Sequence, residues 1–425
     1  MMYKKICAFL LVVGLLLGVT ACSGSPASDT PEDDRIVLKM ASWMDESSLN
    51  QILIRYNDSQ DKYRIVTESI YDETLGFDGS QAAASVTVMT DRSFDLYYLA
   101  GLDVAAMKQA GLLRDLYPMM EQDDRFHRED YYMHLWDLYA MDGHLYEFVP
   151  AFTFSGLLGA RRWIGDRSGW TFNEFYAAQD AWSGAAPYCG LKQDTFLTFM
   201  IQYGMSDYVD LATGACDFEN QSFYDWMDFI RSYPDRERTP TCAVSAGWVF
   251  GLADYYQLCL DVNDTYQIVG MPGDSAPGPC LWSIDTFGIA ANSPNAEACW
   301  DFLMFLLEPE LLEEQFFMGF SMQRSVNEAW LDACLLPNDD PNAFFYGWEL
   351  DGKPYPSLTQ ENVDYLRHLL ESVDLLWLRS NDVLTIVEEE MQVYLHEDDF
   401  TAQEIAARIQ QRVSVCLSER IARKD

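Results

Sequence analysis

The chain has 425 residues and carries 12 Trp, 24 Tyr and 24 Phe. Several of these rings stand beside carboxylates at the ends of short apolar runs, and that pairing has a defined chemical use. A sugar ring presents an apolar C–H face that stacks on an aromatic ring. Its hydroxyls then need carboxylate, amide or guanidinium partners. Trp43 with Asp45 and Glu46 follows one apolar run, and Tyr98 ends another, at Tyr98-Leu99-Ala100-Gly101. Trp282 and Asp285 sit after the Gly/Pro-rich stretch Gly270 to Pro279. The alternative for each ring is core packing. Trp300 and Phe302, inside an apolar helical pattern, are expected in the core, and so is Trp377.

Signatures of catalysis are missing from the sequence. It has no G-x-S-x-G, no H-E-x-x-H, no Gly-rich phosphate loop ending in Lys-Ser/Thr and no G-x-G-x-x-G. The five histidines (127, 134, 144, 368 and 396) are scattered. No catalytic residue, metal site or cofactor is therefore expected. With 67 acidic residues, some carboxylates must fall close together, so a glycosidase-type pair stays open as an alternative. The net charge of −39 argues against nucleic acid and against docking on anionic lipid, and suits a neutral or cationic ligand.

The elements that must position these residues begin after a leader. Met1-Met2-Tyr3-Lys4-Lys5, an apolar run from Ile6 to Val19 and small residues before Cys22 read as a signal peptide. The run is shorter than the roughly 20 residues a membrane span needs. Val19-Thr20-Ala21-Cys22 resembles a bacterial lipobox, which implies residues 1–21 as signal peptide and Cys22 as the site of a palmitate-type lipid. Residues 22–35, rich in Ser, Pro and acid, then form a tether. The remainder is too long for one comfortable core and suggests two lobes.

Ile36 to Ala41, Tyr63 to Thr67 and Phe94 to Leu99 read as strands, with helices over Leu49 to Asn57, Gln81 to Val88 and Val104 to Ala110. Ser47 or Asp45 is placed to cap the first of these helices. This alternation predicts βαβ units and a parallel sheet. Further on, Gln267 to Val269 and Phe287 to Ala291 read as strands. Ser293-Pro294 opens a helix with Pro294 at its first position and Glu297 three residues on. Of ten cysteines, eight lie beyond Cys22, at 189, 216, 242, 259, 280, 299, 334 and 416. None forms C-x-x-C; an even count in an exported chain permits disulfides, while Cys299 and Cys416 read as small core residues.

The segment I-V-G-M-P-G…W…F-G-I-A-A-N-S-P-N-A-E-A-C-W-D-F-L-M-F-L-L-E-P-E, from Ile268 to Glu310, resembles one carried by extracellular solute-binding proteins (family 1) of sugar-type ABC transporters. Four other stretches are similar to that family in the same order. They are Phe94 to Leu116, Leu145 to Ala160 with Gly169 to Phe175, Val209 to Ile230, and the terminal Ile405 to Val413. The family's Gly-x-x-Pro before Asp95 is absent, and Ala160-Arg161 replaces its Tyr-Asn.

The resemblance implies a two-lobed periplasmic-binding-protein-like α/β fold, each lobe a mainly parallel sheet flanked by helices. Lobe 1 would take residues 36–149 and 286–345, and lobe 2 residues 150–285 and 346–425, with crossings near 148–152, 284–286 and 340–355. It places Phe152 and Phe154 near the hinge, Trp248 where the family commonly has a stacking aromatic, and Arg324 on a loop by the cleft. The implied protein is a monomeric lipoprotein on the outer face of the cell membrane. It would close on a small carbohydrate and deliver it to an ABC permease. A ligand-sensing lipoprotein and an anchored glycoside hydrolase are the alternatives.

Overall fold

The computed structural model describes residues 34–43, 47–181, 186–188, 193–211, 213–233, 242–273, 275–283, 285–313, 319–350, 352–377 and 380–422. The expectations for the leader, for Cys22 and for Asp45 and Glu46 lie outside them.

In chain order the strands are β1 (Ile36–Ser42), β2 (Tyr63–Ser69), β3 (Leu96–Tyr98), β4 (Ala151–Ala160), β5 (Ala186–Tyr188), β6 (Val209–Asp210), β7 (Ala215–Cys216), β8 (Cys242–Val249), β9 (Tyr266–Val269), β10 (Cys280–Trp282), β11 (Phe287–Ile289), β12 (Phe320–Ser321), β13 (Glu349–Leu350), β14 (Lys353–Pro354) and β15 (Leu375–Leu376). They build two principal sheets and two small hairpins.

The first sheet has the order β11-β3-β1-β2. β1 alternates exposed Lys39 with fully buried Leu38 and Met40, the pattern of a strand covered on one face. β3 is buried throughout and lies parallel to β1, with Met40 opposite Leu96 and Ser42 opposite Tyr98. Parallel neighbours need a crossover. The helices Ser47–Ser59 and Gly76–Thr90 lie in the chain between these strands, as the βαβ pattern predicts. β11 closes the other edge, antiparallel to β3.

The second sheet is organised on β4, whose ten residues are all buried. β8 runs antiparallel along it from Phe154 to Gly159. β12, β10 and β9 pair it in turn from Ala151 to Ala160. A strand with partners on both edges and side chains covered on both faces has no polar-out alternation to show, so it reads as a continuous apolar run. β15 adds to β10 in parallel. β10 belongs to this sheet and β11 to the first, so the chain changes sheets between Trp282 and Phe287. β13 and β14 pair antiparallel, Leu350 opposite Lys353.

Trp300 and Phe302 are buried in the core, as their helical pattern predicts. Their helix starts later than expected, at Ala296, with Asn295 rather than Ser293 as the residue before it. The reason is tertiary. Asp95 is buried in the first sheet and takes the Ser293 hydroxyl at 2.6 Å and the Asn295 amide at 3.2 Å. These bonds anchor the turn before the helix, in which the Ser293 hydroxyl oxygen also accepts the Asn295 N–H at 3.1 Å. Cys299 is buried as expected, whereas Cys416 is only partly buried on the terminal helix Ala402–Ala422. Among the described residues Cys216, Cys259, Cys280, Cys299 and Cys334 are free thiols.

Candidate functional site

Both faces of β4 are buried, and its side chains alternate between them. Phe152 and Phe154 are both 0% exposed and pack on Phe320, at ring distances of 6.1 and 5.2 Å. Thr153 and Ser155 therefore point the other way. Thr153 is opposite Trp282 of β10, and Ser155 is opposite Trp248 of β8. Residues directly opposite in a ladder project to the same side of the sheet. Two tryptophans thus share the Thr153/Ser155 face, their ring centroids 6.5 Å apart.

The row extends in both directions. β15 pairs with β10 so that Leu281 is opposite Leu376. The next residue, Trp377, comes beside Trp282 at 5.6 Å, its N–H donating to the Leu281 carbonyl at 3.4 Å. Phe250, two residues beyond Trp248, has its ring 6.3 Å from Trp248 and 6.5 Å from Trp282. Phe199 supports Trp248 at 4.8 Å. Phe250 is exposed, and the three tryptophans are partly buried. The three tryptophans with Phe250 against Trp248 and Trp282, none fully enclosed, make an apolar platform.

Polar groups are placed against it. The Thr153 hydroxyl donates to the Trp282 carbonyl at 3.1 Å and the Ser155 hydroxyl to the Gly247 carbonyl at 3.1 Å, which pins the strands carrying the rings. The Trp248 indole N–H is shielded from solvent and has no acceptor among the described residues. Such an unmet donor costs about 1–3 kcal/mol, which an incoming acceptor would recover. The Asp254 carboxylate accepts the Phe250 N–H at 3.1 Å. Burial pushes its pKa up from the usual carboxylate range, against the lowering effect of that N–H. No group of three or more His, Cys, Asp or Glu placed to hold a metal ion occurs among the described residues.

The other residues singled out in the sequence fall elsewhere. Trp43 is 2% exposed, packed edge-on to Tyr71 at 5.9 Å and against Gly101, so it is core rather than platform. Tyr98 is 1% exposed and donates its hydroxyl to Asp285 Oδ1 at 2.8 Å. Asp285 is thereby engaged in joining the first sheet to the crossing segment. Phe152 and Phe154 drop out because strand alternation turns them into the core. Arg324 forms an ion pair with Glu371, donates to the Tyr131 carbonyl at 3.0 Å and lies over the Tyr132 ring at 4.4 Å, a packing role. Of the described candidates, the structure brings together Trp248 and Trp282. Trp377, expected in the core, is partly buried: it packs against the core of the second sheet and also stands beside Trp282 in the row. Phe250, Phe199 and Asp254 had not been singled out. The Trp-x-Phe spacing of Trp248 and Phe250 was the available signal, since residues two apart on a strand share a face.

Two principal sheets, one with β1 and β3 parallel, joined by a chain that passes from one sheet to the other, define an α/β protein with the two-lobed periplasmic-binding-protein-like fold. Among solved structures the chain is similar to the sugar-binding protein MalE of Xanthomonas citri, with 12% identity, 90% of this chain and 98% of that one covered, and a TM-score of 0.58. It is also similar to a cyclic alpha-maltosyl-1,6-maltose binding protein of Arthrobacter globiformis, with 15% identity, 91% and 100% coverage and a TM-score of 0.57. A third is an ABC substrate-binding protein of Listeria monocytogenes in complex with cycloalternan, with 12% identity, 90% and 99% coverage and a TM-score of 0.55. No family profile matches the sequence, and no curated protein is similar to it in sequence. Likeness at such identities establishes the fold. No helix among the described residues is long and apolar enough to cross a membrane.

Proposed function

We propose that the chain is an extracellular solute-binding lipoprotein that takes a carbohydrate between its two lobes and passes it to the permease of an ABC transporter. The observation that carries this reading is the row Trp377–Trp282–Trp248 with Phe250, set on one face of the second sheet beside an indole N–H without an acceptor. Flat apolar rings that are only partly buried suit the C–H face of a saccharide, and an unmet donor suits its hydroxyl. The neighbours named with cycloalternan and maltosyl-maltose support the ligand class. The net charge of −39 accords with a neutral ligand.

Binding needs no bond to be made or broken, so no catalytic residue enters. The division into lobe 1 (36–149 and 286–345) and lobe 2 (150–285 and 346–425) is supported by the change of sheet between Trp282 and Phe287. Ligand that touches both lobes stabilises the closed arrangement and shifts the population toward it. The mature chain would act as a monomer, tethered through a lipid on Cys22.

Thermal shift and calorimetry against mono- and oligosaccharides, peptides and amines test the ligand class. Stabilisation by a saccharide, lost in a folded Trp248→Ala variant, is the expected result. A clear shift at the row with peptides alone would overturn it. Mass spectrometry of the membrane-extracted protein checks the anchor, the expected outcome being an N-terminal peptide that begins at an acylated Cys22.

A further inference from the structure

We propose that Tyr71 is the ligand ring of the first sheet and meets a saccharide from the side opposite the tryptophan row. The proposal rests on the carbohydrate-binding reading and adds to it a residue from the other half of the site.

In open α/β sheets a ligand sits outside the carboxyl ends of the strands, where the strand order reverses. In the first sheet those ends are drawn together. Ser42, the last residue of β1, is opposite Tyr98, the last of β3. The Ser42 carbonyl accepts the N–H of Ile70, just past the end of β2, at 2.9 Å. The order β3-β1-β2 places the reversal between β1 and β3. That crevice is already filled. Trp43, the residue after β1, is buried, and the Gly101 backbone lies against its ring. A ligand that approaches these strand ends therefore meets the ring packed on Trp43, which is Tyr71.

Tyr71 is built for contact. It is 38% exposed, and its ring stands edge-on to the Trp43 indole at 73°. Its hydroxyl has no partner among the described residues. The backbone on either side is fixed, by Ile70 on Ser42 and by the Asp72 N–H, which donates to Ser80 Oγ at 2.8 Å. Asp72 Oδ1 in turn accepts the Thr74 N–H at 2.9 Å and the Thr74 hydroxyl at 2.6 Å. A ring on fixed backbone, backed by a buried indole, loses little freedom when it takes up a ligand. Its face suits saccharide C–H groups and its hydroxyl a saccharide hydroxyl.

The row connects to the same edge. Four residues beyond Trp282 the chain reaches Thr286, whose carbonyl accepts the Leu99 N–H at 2.7 Å. Leu99 directly follows β3. The segment that leaves the row thus ends at the strand ends that carry Tyr71, and the bond from Tyr98 to Asp285 holds it there. Closure about this crossing brings Tyr71 toward the row, with the saccharide between them.

The test titrates maltotriose, xylotriose and raffinose into the full chain by calorimetry, in wild type, Tyr71→Ala, Tyr71→Phe and Trp248→Ala, with circular dichroism of each to confirm folding. Expected are an affinity about three- to tenfold weaker in Tyr71→Ala and one mostly kept in Tyr71→Phe, which retains the ring. Hydroxyl-radical footprinting of the wild type reads the contact without a substitution: oxidation of Tyr71 should fall when the bound saccharide is present. Unchanged affinity in Tyr71→Ala overturns the proposal, and so does Tyr71 oxidation that bound saccharide leaves as it was. Loss in Trp248→Ala with none in Tyr71→Ala removes Tyr71 and keeps the row, while the reverse pattern removes the row and keeps Tyr71. If none of the three saccharides binds the wild type, the carbohydrate reading falls and this proposal with it.

Discussion

The two principal sheets both place tryptophan and tyrosine at strand ends, yet they use them in opposite ways. In the first sheet Trp43 and Tyr98 are closed over, one by Gly101 and Tyr71 and the other by its bond to Asp285. In the second, Trp248, Trp282 and Trp377 are only partly buried. The difference lies in what sits across from the ring. Gly101 has φ +75°, and a Cβ there would come within 2.4 Å of the Trp43 ring. A residue without a side chain lets the backbone seal the indole. On the second sheet the rings meet each other across neighbouring strands, and among the described residues nothing like Gly101 closes over them. A strand-end aromatic is thus a ligand group only where its neighbours decline to cover it.

That contrast can be broken by substitution. The largest effect is expected for Phe154→Ala, which empties a fully buried position among Phe152 and Phe320. It should cost about 3–5 kcal/mol in denaturant unfolding. Gly101→Ala follows, with strain at a positive φ and a clash on Trp43. A loss of about 2–4 kcal/mol in the same measurement, with saccharide binding retained, would fit a purely structural role. Trp248→Ala should reverse that profile, leaving the melting temperature within a few degrees while weakening saccharide binding by about tenfold or more. If Trp43→Ala abolished binding as strongly as Trp248→Ala, the distinction between the sheets would fall.

Smaller effects follow from ionisation. The Asp123 carboxyl is pushed down to about 2, first by the Arg125 guanidinium and also by the Trp300 indole. A depressed carboxyl stabilises the fold above its unfolded pKa of about 4, and loses that contribution as pH falls toward 2. Asp123→Asn should therefore flatten the acid limb of the stability profile. Asp254 has the opposite sign. Its raised pKa means that the folded state favours the protonated form, so its contribution is present at low pH and lost as pH rises through the folded value. Asp254→Asn should raise neutral-pH stability slightly relative to wild type and have no such effect in acid.

Local pattern in the sequence determined much of the fold. The βαβ alternation from Ile36 to Leu99, the apolar helix carrying Trp300 and Phe302, and the strands near Gln267 to Val269 and Phe287 to Ala291 are written in period and punctuation, which act over a few residues, whereas the short strand β10 that carries Trp282 between them is not. The resemblance in order and spacing carried the lobe architecture. Tertiary structure alone decided which rings stay open. Trp43 and Trp248 look alike as aromatics at strand boundaries, and only the approach of Gly101, 58 positions along the chain, separates them. Likewise Phe152 and Thr153 are adjacent and both buried, and only the partners of β4 show that the tryptophans stand on the Thr153 face. Trp377 joins Trp282 across 95 residues through the register of β15 on β10. Burial is a property of what packs across space, and a single sequence records that only where the packing partners are also neighbours in the chain.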